Sequence, residues 1–255
     1  MTRSLRSYCL CTSLSVAMLA GSVGPLAAQT TSQIPVPSAP SVKSLFTDTV
    51  TDFANLPTRE SVTWLTLGLA GASLAQSLDG TMSDAMSGSR GADRAFAHGE
   101  LIGGAKFQLA GALATYGVGR LTGHLRVAEV GADLVRANIV AQAMTAGIKL
   151  SVRRGRPDGT EFSFPSGHAS VSFAAATVLQ RHFGWTAGIP AYAAASYVAA
   201  SRIQDKRHYL SDVAFGAVIG IVAGRTVTIG HGDHRFAVAP MVPQGGGVGI
   251  AFVRK

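Results

Sequence analysis

Three short groups of residues in the second half of the chain carry side chains suited to holding phosphate. They are Lys149 with Arg156-Pro157, then Pro165-Ser166-Gly167-His168, and then Ser201-Arg202 with His208 and Asp212. Together they supply three cations, two histidines, a Ser-Gly pair and a carboxylate. This combination suits the binding of a tetrahedral oxyanion while one histidine attacks it as a nucleophile.

Lys149, Arg156 and Arg202 are the cations of the predicted anion site. Lys149 stands seven residues before Arg156, close to the end of a predicted helix. A guanidinium can bind two phosphate oxygens at once, whereas the lysine ammonium acts as a point charge. On their own, Lys149 and Arg156 are better explained as part of a basic helix end that the helix dipole favours.

The segment from Pro165 to His168 is typical of a helix start. The first backbone N–H groups of a helix have no intrahelical acceptor, and Gly167 would let an anion approach them closely. Ser166 adds a hydroxyl donor, and His168 would lie in the first turn. An ordinary helix cap beside an incidental histidine is the alternative explanation.

His208 and Asp212 are four residues apart, so they would share one face of the helix predicted for residues 208–226. Asp212 would accept a hydrogen bond from one imidazole nitrogen and leave the other free to act as a nucleophile. Three apolar residues follow Asp212, and a carboxylate in that setting needs a partner. A surface ion pair is the alternative explanation for the two residues taken alone.

The order and spacing of the three groups together indicate a phosphate site more strongly than any one group does alone. Lys-x6-Arg-Pro, Pro-Ser-Gly-His and Ser-Arg-x5-His-x3-Asp, in this order over residues 149–212, resemble the type 2 phosphatidic acid phosphatase and vanadium haloperoxidase superfamily. The resemblance implies an all-α fold, a helical bundle of the acid phosphatase/vanadium haloperoxidase type. We also expect a short C-terminal β-hairpin, because two apolar runs flank Gln244 and its three following glycines.

The resemblance also implies a role for each candidate residue. His208 would attack phosphorus and form a phosphohistidine, while Asp212 would hold the tautomer of His208. His168 would protonate the leaving oxygen and then activate water. The phosphate would be bound by Lys149, Arg156, Ser166, Gly167 and Arg202. Because these groups supply the positive charge, neither a metal nor another cofactor is expected.

The predicted activity is therefore metal-independent hydrolysis of phosphate monoesters or diphosphates, with a lipid phosphate or a small soluble ester as substrate. Soluble acid phosphatases of this superfamily often carry Gly-Ser-Tyr before Pro-Ser-Gly-His, whereas this chain has Phe162-Ser163-Phe164 there, which leaves lipid phosphates open. One alternative is a vanadate-dependent haloperoxidase, for which the chain is short. The other is a non-catalytic phosphate- or head-group-binding protein, which would not need two histidines and Asp212.

Helices must position these residues, and the hydrophobic pattern predicts them over residues 61–78, 101–121, 128–153, 166–182, 185–201 and 208–226. Loops are predicted over residues 79–100, with one helical turn near residues 94–100, and over residues 155–164. The chain is thus divided into a signal peptide (1–28), a flexible leader (29–55), a helical phosphatase domain (56–230) and a β appendage (231–255). The basic start, short apolar run and small-residue cleavage site of residues 1–28 predict an exported, periplasmic or extracellular protein.

The net charge and the composition indicate which classes of partner the chain could bind. A net charge of +8 favours an anionic substrate or an anionic membrane surface. Basic residues are not interleaved with aromatic ones, so nucleic acid is not an expected partner. We favour a soluble or peripherally attached domain, with membrane embedding as the alternative. The run from His231 to His234 is better explained as a solvated turn than as a metal site, because no further spaced ligands are visible.

Overall fold

The computed structural model describes residues 38–88, 90–229, 236–241 and 249–254. Its helices are α1 (Val42–Asn55), α2 (Arg59–Ala75), α3 (Asp79–Met86), α4 (Arg90–Phe96), α5 (Gly99–Gly103), α6 (Ala105–Thr122), α7 (Leu125–Val152), α8 (Gly167–Phe183), α9 (Trp185–Gln204) and α10 (Leu210–Val227). A 3₁₀ turn, Gln76–Leu78, joins α2 to α3. The predicted signal peptide and the start of the predicted leader lie outside the described residues.

Two predictions for the first half of the chain are wrong. The expected flexible leader is helical from Val42 to Asn55, because Ser41 caps this helix and Asp52 binds Arg136 of α7 at 2.7 Å. The expected loop at residues 79–100 instead contains α3, α4 and the start of α5. These helices have only 8, 7 and 5 residues, which is too short to produce a clear helical period in the sequence.

Helix α8 lies at the centre of the described bundle and packs against α7, α9 and α10. The core cluster joins the buried apolar side chains of α7, α8 and α10, namely Ala137, Val140, Ala141, Val171, Ala174, Val178, Ala223 and Val227. Fully burying a valine side chain stabilises a fold by about 1.5–3 kcal/mol. The helix that begins with the Ser-Gly-His motif is therefore the one most firmly fixed by packing.

Helix α10 approaches α8 closely because three glycines recur every four residues along its inner side: Gly216, Gly220 and Gly224. A Cβ at Gly216 would stand 2.6 Å from the carbonyl oxygen of Ser166, and one at Gly224 would stand 2.6 Å from Cβ of Thr177. Neither distance is compatible with van der Waals radii. The glycines thus hold the N-terminus of α8 beside the first turn of α10.

A buried ion network fastens the opposite end of the bundle. Arg136 donates to Asp52 and, at 2.6 Å, to the carbonyl oxygen of Val227 at the end of α10. Asp133, one turn before Arg136, lies 3.3 Å from its guanidinium and 2.8 Å from Nε2 of His182 in the last turn of α8. The network joins α1, α7, α8 and α10 away from the predicted site.

The C-terminal strands are β1 (Phe236–Met241) and β2 (Gly249–Arg254), which pair antiparallel with Phe236 opposite Arg254. The predicted fold class, an all-α bundle followed by a short β-hairpin, is confirmed. The run from His231 to His234 lies outside the described residues.

One helix among the described residues, α10, is long and apolar enough to cross a membrane. Of that stretch, 67% is buried inside the protein, so its composition also fits its position in the core.

Candidate active site

The three motifs meet at one end of the bundle. Lys149 lies in the last turn of α7, Gly167 and His168 begin α8, Arg202 is in the last turn of α9, and Asp212 is in the first turn of α10. The backbone N–H of the α8 N-cap residue donates to the carbonyl oxygen of Asp212 at 3.0 Å, which joins the α7–α8 and α9–α10 loops side by side. The structure therefore brings the predicted site residues together.

Lys149 is held by the loop that follows α7. Its ammonium donates to the carbonyl oxygen of Phe162 and, at 3.4 Å, to that of Ser163. Burial and the nearby Arg156 lower the pKa of Lys149 to about 8, and Asp212 partly opposes this shift. The lysine is thus a half-buried cation that two backbone carbonyl oxygens hold at the end of α7.

Arg156 stands in a tight turn, where its backbone N–H donates to the carbonyl oxygen of Thr160 at 2.7 Å. Its Nε is buried and has no hydrogen-bond partner among the described residues. Burial, together with the neighbouring Arg207, lowers the pKa of Arg156. This buried N–H, next to other cations, is a donor that a phosphate oxygen could accept from.

Ser166 is the N-cap of α8 and is fully buried. Its Oγ accepts a hydrogen bond from the backbone N–H of Ala169 at 3.4 Å. Gly167 follows as the first helical residue, so its N–H belongs to the group that lacks an intrahelical acceptor. The start of α8 therefore offers backbone N–H groups and the positive end of a helix to an anion.

Arg202 is 2% exposed and is held by carboxylates on two sides. It donates to Asp205, and its guanidinium lies 3.6 Å from the carboxylate of Glu100 on α5. Its backbone carbonyl oxygen accepts from the backbone N–H groups of Arg207 at 3.0 Å and His208 at 3.1 Å. The α9–α10 loop is folded back by these bonds, which fixes His208 beside Arg202.

His208 is not helical, contrary to the prediction for residues 208–226. It precedes Tyr209, which is the N-cap of α10, because the chain must leave the helical conformation to bond to Arg202. Nδ1 of His208 still lies 3.8 Å from Oδ2 of Asp212, beyond hydrogen-bond length, and has no partner among the described residues. Burial lowers the pKa of His208, and the side chain of Asp212 opposes this shift. The imidazole is therefore neutral near pH 7.

His168 lies near Arg202 and the second histidine, His208. Burial, Arg202 and His208 lower the pKa of His168 to about 4, while Glu100 opposes the shift. This imidazole is therefore also neutral at pH 7. A bound phosphate would add negative charge next to it and raise its proton affinity.

Residues 131–235 match the sequence profile of the PAP2 superfamily. The match covers 105 of the 255 residues. It contains every residue of the three motifs, so the predicted family is confirmed.

Two curated proteins are similar to this chain over about 100 residues each. Lipid A 1-phosphatase of Porphyromonas gingivalis is 39% identical over 97 residues, covering 36% of this chain and 21% of that protein. Decaprenylphosphoryl-5-phosphoribose phosphatase of Mycobacterium tuberculosis is 36% identical over 107 residues, covering 38% of this chain and 59% of that protein. The match thus spans about a fifth of the first relative and three fifths of the second.

A solved structure has the same PAP2 fold. The transmembrane PAP2 type phosphatidylglycerolphosphate phosphatase from Bacillus subtilis superposes with a TM-score of 0.51 at 21% identity. The superposition covers 73% of this chain and 93% of that one.

The PAP2 motifs did not reveal the other groups that hold Asp212. One carboxylate oxygen accepts from the Ser163 hydroxyl and, at 2.8 Å, from the backbone N–H of Tyr209. The other accepts from Arg154 at 2.8 Å, and Arg154 also binds Asp79 at 2.7 Å. Arg154 stands among other basic residues in the sequence, and nothing near Asp79 in the sequence marks it as part of the site.

The described part of the PAP2 site has the donors for an anion and no arrangement for a metal ion. No group of three His, Cys, Asp or Glu side chains is placed to hold a metal within the described residues. The positive charge comes from Lys149, Arg156 and Arg202. Arg202 is buried and the other two are half-buried, so water screens their charge less than it would at the surface. Such a site can bind a phosphate group and stabilise charge that develops on its oxygens.

Proposed function

We propose that this protein is a phosphatase that hydrolyses phosphate monoesters or diphosphates through a phosphohistidine on His208. The observation that carries the proposal is the buried, neutral imidazole of His208, which lies near Lys149 and Arg156. Beside it lies the carboxylate of Asp212, which accepts hydrogen bonds from Arg154, Ser163 and Tyr209. A neutral imidazole is the nucleophilic form of histidine, and the cations would hold the phosphate against it.

In the first step, Nε2 of His208 bonds to phosphorus while the bond from phosphorus to the leaving oxygen breaks. His168 gives its proton to that oxygen. Nδ1 of His208 turns by the small distance needed to donate to Asp212, which compensates the positive charge on the ring. The bound phosphate supplies the negative charge that lets His168 carry a proton near neutral pH, although burial, Arg202 and His208 lower the pKa of His168 to about 4.

In the second step, water attacks phosphorus and the bond to His208 breaks. His168, now neutral, takes a proton from that water, so both histidines return to their starting state. Throughout, Lys149, Arg156, Arg202 and the start of α8 stabilise the phosphate oxygens. This mechanism needs no metal ion, because the fixed cations supply the charge that a metal carries in other phosphatases.

We propose a lipid phosphate as the substrate and a membrane surface as the place of action, outside the cytoplasm if residues 1–28 direct export. The relatives named above are lipid phosphatases by name. Large apolar side chains are also exposed on α2, α6 and α9, among them Leu67 (64%), Phe107 (53%), Val118 (55%), Trp185 (63%) and Ile189 (66%). Exposed apolar area of this kind favours contact with lipid.

The first test is hydrolysis of p-nitrophenyl phosphate by the protein lacking residues 1–28, in the presence of EDTA. We expect activity with chelator, its loss in His208→Ala, and its retention in His124→Ala, which changes an exposed histidine at the other end of α7. Activity that disappears with chelator and returns with a divalent ion would contradict the mechanism.

The second test is a panel of lipid and soluble phosphates, with and without detergent micelles. We expect a higher kcat/KM for lipid phosphates presented in micelles than for soluble esters. A preference for soluble esters, unaffected by micelles, would contradict the lipid assignment and leave the phosphatase assignment standing.

A further inference from the structure

Asp212 is held from the side away from His208 by residues that belong to none of the three motifs. Nη1 of Arg154 donates to Oδ1 of Asp212 at 2.8 Å and to the hydroxyl of Ser211 at 2.7 Å. Nη2 of the same guanidinium donates to Asp79 at 2.7 Å. Arg154 therefore lies between two carboxylates, one of which belongs to the candidate active site.

Asp79, the first residue of α3, is only 5% exposed. Its Oδ1 accepts from the backbone N–H of Ser211 at 2.9 Å, and its Oδ2 accepts from the Ser211 hydroxyl at 2.6 Å. Asp79 thus binds the first turn of α10 and Arg154 together. A carboxylate this buried is stable only with such partners, so its place in the network is well defined.

Tyr209 closes the network. The guanidinium carbon of Arg154 lies 4.3 Å from the centroid of the Tyr209 ring, which is the geometry of a cation–π contact. Tyr209 is the residue between His208 and α10, and its backbone N–H donates to Oδ2 of Asp212 at 2.8 Å. A shift of Arg154 would therefore move both the carboxylate and the chain segment that carries the nucleophile.

We propose that Arg154 and Asp79 are positioning residues that fix the carboxylate of Asp212 for His208. Arg154 holds Oδ1 of Asp212, and Asp79 in turn holds Arg154. The Ser163 hydroxyl and the Tyr209 N–H hold Oδ2, the oxygen that lies 3.8 Å from Nδ1 of His208. The inference rests on the proposed function, in which His208 is the nucleophile.

Arg154 also acts through its charge. The charged and titratable groups around His208 are Asp212, Lys149, Arg156 and His168. Arg154 is the further cation that Asp212 contacts, and its charge lowers the pKa of that carboxyl, after the larger effects of burial and hydrogen bonding. Loss of this charge makes the Asp212–His208 pair more basic, and loss of the Asp79 charge makes it less basic. The two changes therefore move the protonation of His208 in opposite directions.

The experiment measures the burst of p-nitrophenol as a function of pH in Arg154→Gln, Arg154→Lys and Asp79→Asn. Arg225→Gln is the matched control, because Arg225 forms an exposed ion pair with Glu60. In Arg154→Gln we expect the rate constant of the burst at saturating substrate to fall about tenfold or more. The substrate concentration that gives half of this rate should change less than about threefold. The acid limb of the plot of burst rate against pH should move to higher pH. Arg154→Lys should recover part of the rate, and Arg225→Gln should match the wild type.

In Asp79→Asn the rate should also fall, while the acid limb should move to lower pH. A loss of folded protein would reduce the burst amplitude in every variant without moving the limb, so the opposite shifts separate positioning from folding. The proposal is overturned if Arg154→Gln keeps the wild-type burst rate, or if neither variant moves the acid limb while His208→Ala is inactive. If His208→Ala keeps the wild-type rate, the proposed function fails, and the positioning role fails with it.

Discussion

The backbone N–H of Ser166 donates to the carbonyl oxygen of Asp212 at 3.0 Å. Ser166 caps the helix whose start would bind phosphate, and Asp212 adjoins the proposed nucleophile, so this bond fixes one half of the site against the other. Gly216, one turn further along α10, makes the bond possible: its Cα faces the carbonyl oxygen of Ser166, with no room for a side chain between them.

Gly216→Ala is predicted to damage both stability and activity. The added Cβ would stand 2.6 Å from the carbonyl oxygen of Ser166 and 3.3 Å from its nitrogen, so the N-terminus of α8 must move away from α10. Overpacking of this kind lowers the free energy of unfolding by about 1–3 kcal/mol. Because displacement of the α8 start misplaces the bound phosphate, kcat/KM should fall about tenfold or more. Urea unfolding and steady-state kinetics measure the two effects.

Gly147→Ala is the control for this substitution. Gly147 lies inside α7 with no atom within 4 Å of the position that a Cβ would take. Alanine in a helix is favoured over glycine by about 0.5–1 kcal/mol, so this variant should be slightly more stable and fully active. Equal kinetics in the two variants would show that the close contact at Gly216 does not position the site.

The pH dependence of kcat/KM should report Lys149. Its pKa is lowered to about 8, so the ammonium is charged below that pH and neutral above it. Only the charged form attracts phosphate, and kcat/KM reports groups of the free enzyme. We therefore expect kcat/KM for p-nitrophenyl phosphate to fall as the pH rises through about 8.

Lys149→Arg identifies the group responsible. A guanidinium stays charged throughout this range, so the basic limb should disappear, although the overall rate should fall because the contacts with Phe162 and Ser163 fit an ammonium. An unchanged basic limb in Lys149→Arg would assign the titration to another group.

Orthovanadate should inhibit competitively, since it adopts the trigonal-bipyramidal geometry of phosphate during transfer. Arg156 offers a buried N–H that has no partner within the described chain, and replacement by lysine removes this planar donor. Arg156→Lys should raise the inhibition constant by roughly ten- to a hundredfold. Arg207→Lys, which changes an exposed cation paired with Asp158, should raise it less than about twofold. Equal effects, or no inhibition at millimolar vanadate, would count against the site.

The sequence predicted the residues that would contact phosphate because their types and linear spacing carry the information. The structure contains the helices predicted around these residues, since α7, α8, α9 and α10 each have 17 residues or more and bury apolar faces. A helix of that length repeats its pattern often enough to be seen.

The positions of Asp79 and His208 could not be predicted from the sequence pattern in the same way. Asp79 reaches the site through the packing of α3 on α10, a contact between segments far apart in the chain. His208 leaves the helix because its backbone bonds to Arg202, and local spacing with Asp212 gives no sign of this. Both depend on tertiary contacts that a single sequence does not encode in its local pattern.

The most direct test of the account is to trap the covalent intermediate. His168→Ala lacks the group that would activate water, yet p-nitrophenol leaves readily without an acid, so the phosphoenzyme should accumulate on mixing with radiolabelled p-nitrophenyl phosphate. Because phosphohistidine survives alkali and decomposes in acid, an alkaline quench followed by peptide mapping locates it. We predict close to one label per enzyme, on His208, and none in the variant that also carries His208→Ala. Full release of p-nitrophenol without a label, or a label on another side chain, would contradict the central claim.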